Sequence, residues 1–491
     1  MEERRTHPMG QGLVECSRWF LLLILITAVS LWGTTRPWAM NLIAIALLLD
    51  LLVFASGLVL IARKPRLPRW LILPLAGILL QGWIMALNAF PGPGGLRILL
   101  GRVPGHVSWL PASIDRCITI QTMMLVSGLL GAMSVSCDLA SNRIWLLRLW
   151  RTIALTGTGM VFLGLAQRWT HAKAIFWNLY ENAGEYFFGV YRYHANAGSL
   201  MNLTLPLLAG LSFLSLIDSH RKSERALWIT ATVATVAGSF VNVSRASSAI
   251  TMLLCLAIIV AAGSRLACRR RGQSLAMIVI IAVTSLALLI PVTLSFGVEK
   301  SLHRWTHPGN RSAFWGGDRI RTAEAIVQSL LPRTGFFGSG PGTFEQSFSS
   351  VNLHRETPVA GRWDMAHDDY LQTLSEWGAI GSVFWALLIG GGILNALARF
   401  RHGTSMTLDV FNAAGILAMV GVLIHALVDF PLQIASIQLF TACIAGGLWG
   451  ARNHGDAAGG TSGSLRLFRK PSVDSLKQSV VLPSGKRQIP P

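Results

Sequence analysis

Apolar runs of membrane-spanning length recur from one end of this chain to the other, and few folds can absorb them. They fall at about 19–35, 38–62, 70–90, 117–137, 147–166, 196–217, 227–243, 247–264, 275–296, 378–398, 409–428 and 432–450. A helix of about 20 apolar residues crosses the hydrocarbon core, so the pattern predicts about twelve transmembrane helices. The pair spanning 227–264 is barely interrupted at Ser244-Arg245-Ala246-Ser247-Ser248, and a single long tilted helix is the alternative there. Composition agrees with lipid as the solvent. Hydrophobic residues make up 52% of the 491 and charged residues 13%, against about 25% charged in soluble domains.

The formal charge of +19 would fit nucleic acid on a soluble chain. Here the basic residues lie between apolar runs, which is positive-inside topology. With twelve spans the even-numbered connections are cytoplasmic. These carry Arg63-Lys64-Pro65-Arg66, Arg143, Arg221-Lys222, Arg265 with Arg269-Arg270-Arg271, and Arg399 with Arg401. Together with both termini they hold more than half of the 42 Lys and Arg, so both ends are expected in the cytoplasm. The first run follows Arg4, Arg5 and Arg18 and has no small-residue cleavage site after it. It reads as an uncleaved span. The domain order expected is nine spans over 1–296, a large outer loop over 297–377, three spans over 378–450, and a disordered cytoplasmic tail over 451–491. Six cysteines occur, with no CxxC, no metal-ligand spacing and none in the large loop, so no disulfide is expected there.

Two outer connections depart from the charge rule. Residues 297–377 hold eight Lys or Arg (Lys300, Arg304, Arg311, Arg319, Arg321, Arg333, Arg355 and Arg362), and the loop near 167–195 holds Arg168, Lys173 and Arg192. A cationic outer face beside the bilayer fits an anionic lipid-linked substrate; ordinary loop solvation fits it as well.

Four segments carry candidate chemistry. The first, Tyr191-Arg192-Tyr193-His194-Ala195-Asn196, sets Arg192, His194 and Asn196 at the outer mouth of a span. Arg suits phosphate through paired charged hydrogen bonds, and also serves as an interfacial anchor. The second is Asn242-Val243-Ser244-Arg245, where Arg245 sits in a small-residue break. Such an Arg faces a cavity, or snorkels from a tight turn. The third runs from Arg319-Ile320-Arg321 as an amphipathic helix over about Asp318–Leu331. Pro332 then ends it in the loop Gly338-Ser339-Gly340-Pro341-Gly342-Thr343-Phe344, which is not a P-loop. The fourth is His367-Asp368-Asp369-Tyr370-Leu371-Gln372 through Glu376, Gly378 and Gly381. His367 beside carboxylates can take a proton from a sugar hydroxyl, and Asp368 can instead cap the next helix.

That fourth string resembles the signature of the O-antigen ligase and Wzy polymerase superfamily, His-Asn-x-Tyr-Leu-Gln followed by Glu-x-Gly-x-x-Gly, with Asp368 where Asn is usual. Gly338-x-Gly340-Pro341-Gly342-Thr343-Phe344 is similar to the glycine string before it, and Ser244-Arg245 to the family's Ser-Arg outer turn. Arg192 to Asn196, ahead of Leu205-Pro206, is similar to the family's Asn-containing start of a middle span, reduced here to His194-Ala195-Asn196. The resemblance covers mainly 190–385.

It implies an all-α, GT-C-like polytopic membrane bundle in the bacterial inner membrane, with a large periplasmic loop. The implied donor is a glycan on undecaprenyl diphosphate. The acceptor is lipid A–core for a ligase or a growing polysaccharide for a polymerase. Transfer would be inverting and metal-free, with no cofactor and no nucleic-acid partner. His367 would be the catalytic base. Arg192, His194, Asn196, Arg245, Arg319, Arg321, Asp368 and Glu376 would bind substrate. No DxD lies in an outer loop, and the adjacent Asp368 and Asp369 point apart on a helix. A lipid-linked sugar transporter is the other class; Asp50, Arg148 and Arg151 are its candidates.

Overall fold

The computed structural model describes residues 7–90, 107, 109–178, 184, 186–217, 222–267, 317–400 and 406–451, all within the unit Met1–Arg452. The expected ninth span at 275–296, the first part of the large loop and the tail lie outside the described residues.

Among the described residues the chain is helical and has no strand. The helices are α1 (Pro8–Ser30), α2 (Pro37–Leu60), α3 (Arg69–Leu87), α4 (Arg116–Ala140), α5 (Arg143–Trp169), α6 (His194–Ile217), α7 (Lys222–Val241), α8 (Arg245–Ala267), α9 (Gly317–Ala325), α10 (Phe344–Asn352), α11 (Asp369–Phe400), α12 (Met406–His425) and α13 (Ala435–Gly450). Nine of these are long and apolar enough to cross a membrane. The helix α7 has the length but begins with Lys222, Glu224 and Arg225, and α13 has only 16 residues. At about 1.5 Å per residue α13 falls short of a 30 Å hydrocarbon core, and the 3₁₀ turn Pro431–Gln433 precedes it. Val59 at 78% and Leu394 at 67% exposure are typical of the outer faces. Apolar area on that scale is favourable only against lipid. The chain is therefore an all-α, multi-pass membrane bundle.

The doubtful stretch 227–264 is two helices. Val243 adopts φ +62°, which no helix interior accommodates, and the Ser244 hydroxyl accepts from the Ser247 amide at 3.3 Å to cap α8. The helix begun by α9 continues through a π-helical turn, Ile326–Leu330, to Leu331–Thr334. Pro332 thus opens the last turn instead of ending the helix, since an early-turn proline needs no N–H partner. Helix α11 begins at Asp369, ahead of the expected span, and breaks at Gly378 (φ +64°).

Small residues let the core helices touch. A methyl group at Gly446 would overlap the Met133 carbonyl, and one at Gly450 the Cys137 carbonyl. So α4 and α13 meet backbone to backbone, as small-xxx-small pairs do in lipid.

Alternation of helix direction sorts the connections to two ends of the bundle. At one end Asp138, fully buried, accepts from Arg63 at 3.0 Å, Arg18 at 3.4 Å and the Arg66 amide at 3.0 Å. Arg143 reaches Thr407 at 2.7 Å there. At the other end the loops tie to one another. Ser436 bonds both the Gly33 carbonyl at 2.5 Å and the Tyr191 hydroxyl at 2.8 Å. Asn242 donates to the His194 carbonyl at 2.8 Å, and the Ile114 amide to the Ser339 carbonyl at 3.0 Å. Every one of the four candidate segments lies at this second end.

Candidate functional site

The site is built where α6 starts, α11 starts and α12 ends. A tight turn, Phe188 to Tyr191, closed by mutual backbone bonds of 3.0 and 3.1 Å, delivers Arg192 and Tyr193 to the head of α6. Asp369, buried at the start of α11, grips the connection after α12. Its carboxylate accepts from the Leu432 amide at 2.8 Å and Gln433 Nε2 at 2.9 Å, and its own amide donates to the Ala426 carbonyl at 2.9 Å. That connection carries Asp429.

Asp429 is the centre of the cluster. Its Oδ1 pairs with His367 Nδ1 at 3.2 Å and its Oδ2 accepts from the Tyr193 hydroxyl at 2.9 Å. Arg319 donates to that hydroxyl at 3.1 Å and to the Val428 carbonyl at 2.8 Å, with its guanidinium 3.9 Å from Asp429. Burial alone would push the Asp429 carboxyl up. The hydrogen bond with His367 and the charges of Arg319, His367 and His425 outweigh it and hold it below its ordinary value. The carboxylate therefore stays charged and can only accept, so the His367 Nδ1 that faces it is a protonated nitrogen. Burial, and then the charge of Asp429, pushes the Tyr193 phenol up, which keeps it a neutral donor.

Aromatic rings frame the imidazole. Phe430 lies 4.8 Å from it and Trp363 5.6 Å, while Phe430 stacks on Tyr193 at 5.5 Å. His367 itself adopts φ +54°, with about a quarter of its side chain exposed. A non-glycine residue in that region costs of order 1 kcal/mol or more and persists where its surroundings hold it.

Tyr193 and Phe430 also line a cavity of about 410 Å³, together with Arg36, Arg192, Asn196 and Trp32 among others. Arg192 and Asn196, expected from the sequence, thus share one cavity. His194 heads α6 and packs edge-on to Tyr193 at 5.0 Å. Arg245 begins α8, and its segment joins α6 through Asn242 and His194.

Of the remaining expected substrate ligands, Asp368 and Glu376 make structural hydrogen bonds and Arg321 is exposed. Arg321 is 73% exposed and its nearest carboxylate is Asp318 at 4.0 Å, one helical turn away. Asp368 caps α11, accepting from the Tyr370 and Leu371 amides at 2.9 and 3.0 Å. Partial burial raises its carboxyl above the ordinary value despite those bonds. Glu376 is buried and accepts from the Gly342 amide at 2.9 Å and the Phe344 amide at 3.2 Å, and its carbonyl takes the Gly340 amide. Gly338, Gly340 and Gly342 all have φ between +79° and +113°. The glycine string is therefore a loop locked onto α11, with the Gly340, Gly342 and Phe344 amides on Glu376 and the Ser339 amide on the Ser375 carbonyl.

Sequence reading missed Asp429 and Arg36, and it named Tyr193 and Asp369 within their segments without placing them in the site. The one available signal was an acid, Asp429, in the otherwise apolar connection between the last two spans. The transport candidates Arg148 and Arg151 lie at the opposite end. Arg148 stacks over Trp145 and Trp19 at 4.5 and 4.9 Å, and Arg151 pairs with Glu224 at 2.9 Å. Asp50 is buried within α2. Compared with known proteins, the chain matches no family model and no curated sequence.

Proposed function

We propose that this protein is a membrane glycosyltransferase of the O-antigen ligase type, passing a glycan from an undecaprenyl diphosphate donor to an acceptor hydroxyl at the outer face of the bacterial inner membrane. The observation that carries the reading is the His367–Asp429 pair, 3.2 Å apart, beside a cavity lined by Arg36 and Arg192. A general base and a cationic pocket are the two parts that an inverting transfer to a hydroxyl requires. A Wzy-type polymerase would use the same parts, differing only in the acceptor. The GT-C-like fold, twelve spans and cytoplasmic termini belong to the same reading.

In the proposed step, His367 Nε2 takes the acceptor hydroxyl proton as that oxygen attacks the anomeric carbon. The carbon–oxygen bond to the diphosphate breaks, and the diphosphate leaves with the electron pair. Asp429 holds the imidazole and stabilises the imidazolium that forms. Arg192 stabilises the charge gathering on the leaving group, worth several kcal/mol where water is excluded. Arg245 is the second candidate for that role. Arg319 acts behind them, holding Tyr193 and Asp429.

The test is glycan transfer by purified protein in detergent, with lipid-linked donor and acceptor at saturation. His367→Ala should lower turnover by roughly 10²–10⁴-fold, the usual contribution of a positioned general base. Wild-type turnover in that variant would remove His367 from the chemistry. A transporter, whose case rests on Asp50 alone, would show no transfer at all.

A further inference from the structure

We infer that Arg148, wedged between Trp19 and Trp145 at the Asp138 end of the bundle, binds the phosphate of an anionic phospholipid whose acyl chains lie along α1 and α5. This site is at the end opposite His367 and does not depend on the chemistry proposed there.

Helices α1 and α5 pack side by side, and both start at the Asp138 end. The Arg148 guanidinium sits in the corner between two rings, 4.9 Å from the Trp19 centroid and 4.5 Å from that of Trp145. The rings meet edge-on at 5.2 Å. Contact of this kind holds the cation through the ring faces. It leaves the in-plane N–H donors of the guanidinium for another partner. Among the described residues they have none: Arg148 makes no hydrogen bond and no ion pair. The cations around it are engaged. Arg18 and Arg63 share Asp138, Arg151 pairs with Glu224, and Arg143 reaches Thr407. Glu15, exposed on the same end of α1, pairs with neither Arg148 nor any other described residue. A planar cation held by two rings, with its donor edge open, suits a phosphate.

Depth and surroundings select a lipid phosphate over a soluble one. Arg148 lies five residues after Arg143, the first residue of α5, so about 8 Å along the helix. That is the level where headgroups give way to acyl chains and where tryptophans such as half-exposed Trp19 border them. Beyond it both helices turn apolar side chains outward. Leu155 and Phe162 follow Arg148 at seven-residue steps, on the same face of α5, and Leu23 and Ile26 follow Trp19 on α1. Each of the four is about half exposed. Phe162 is about 21 Å beyond Arg148, longer than half of a 30 Å hydrocarbon core, so the stripe runs the length of an acyl chain. Charge then selects the headgroup. Arg18, Arg63 and the Arg66 amide converge on the single carboxylate of Asp138, which leaves this end cationic and favours an anionic phospholipid over a zwitterionic one.

The experiment measures lipid binding to the delipidated full-length protein in detergent, with dioleoyl phosphatidylglycerol, dioleoyl phosphatidylcholine and glycerophosphate as probes. Phosphatidylglycerol should bind more tightly than phosphatidylcholine, and glycerophosphate at equal concentration should not displace it. Arg148→Ala should weaken phosphatidylglycerol by roughly tenfold, the loss of one charge-assisted contact. Arg148→Lys, which keeps the charge but not the planar fork, should fall between, and it serves as the test if Arg148→Ala does not fold. Arg69→Ala removes the same charge from the same end, but from exposed Arg69 on α3, which packs on α4 and α11, and should bind nearly as wild type. Undiminished binding in Arg148→Ala, or in Arg148→Lys where Arg148→Ala does not fold, overturns the site. An equal loss in Arg69→Ala overturns it as well, since the bulk charge of this end would then account for binding. Phosphatidylcholine binding as tightly as phosphatidylglycerol overturns the selection of an anionic headgroup. Displacement by glycerophosphate overturns the lipid as the occupant.

Discussion

At the scale of single residues the site turns on Asp429, a buried carboxylate that stays charged because its partners outweigh the cost of burial. A depressed acid contributes stability above its unfolded value, about 3.9 for Asp, and loses it as pH falls through the lower folded value. Asp429→Asn should therefore melt below wild type by an amount that is constant between pH 7 and pH 5 and shrinks only below about pH 4. Thermal melts of both proteins across that range check it, and a difference that already vanished at pH 5 would contradict the charged dyad. The same variant should transfer glycan more slowly, because the amide does not fix the Nδ1–H tautomer. The pairing itself was not visible in the sequence. His367 stood out because it sits in a recognisable string, but its partner is 62 positions away. An aspartate in an apolar connection marks itself as unusual but does not name its partner.

Elements were more legible, because hydrophobic runs and caps are local. Eleven of the twelve expected spans overlap described helices, nine of them long and apolar enough to cross a membrane, although α1 begins at Pro8 instead of near 19 and α11 at Asp369 instead of near 378. The Asp368 cap drew α11 back to Asp369, and the π-helical turn carried α9 past Pro332. The glycine string misled in the opposite sense. It looks like a ligand loop, yet its positive φ values serve a close approach to α11. Asp368 can be tested as a cap. Asp368→Ala should destabilise the protein by about 1 kcal/mol, while Asp368→Asn keeps the acceptor. Burial raises the Asp368 carboxyl, so ionisation costs stability as pH rises through that raised value. Asp368→Asn should then gain on wild type at pH 7 and lose that advantage near pH 4; a melt in which Asn and Ala behave alike would exclude the capping role. For packing, Gly450→Leu should prevent α4 and α13 from closing, and a monodisperse, fully active Gly450→Leu protein would show that the contact is dispensable.

The whole molecule has two unlike ends, and their difference predicts which way it faces. One end ties Arg18, Arg63 and Arg66 to Asp138 with Lys64 exposed beside them, the concentration of positive charge that stays in the cytoplasm. The other end holds His367, Asp429 and the arginine-lined cavity. Under the proposed function, an acceptor at the outer face would reach only the second. In a background without native cysteines, Leu353→Cys on the site side is 77% exposed and should react with an impermeant thiol reagent once the reagent enters the periplasm. Lys64→Cys should react only after the cells are opened. The reverse pattern would turn the bundle over and place the His367 pair in the cytoplasm, where no outer acceptor could meet it. Because the loops of each end are bonded to one another, one residue at each end is enough to orient all of the described helices.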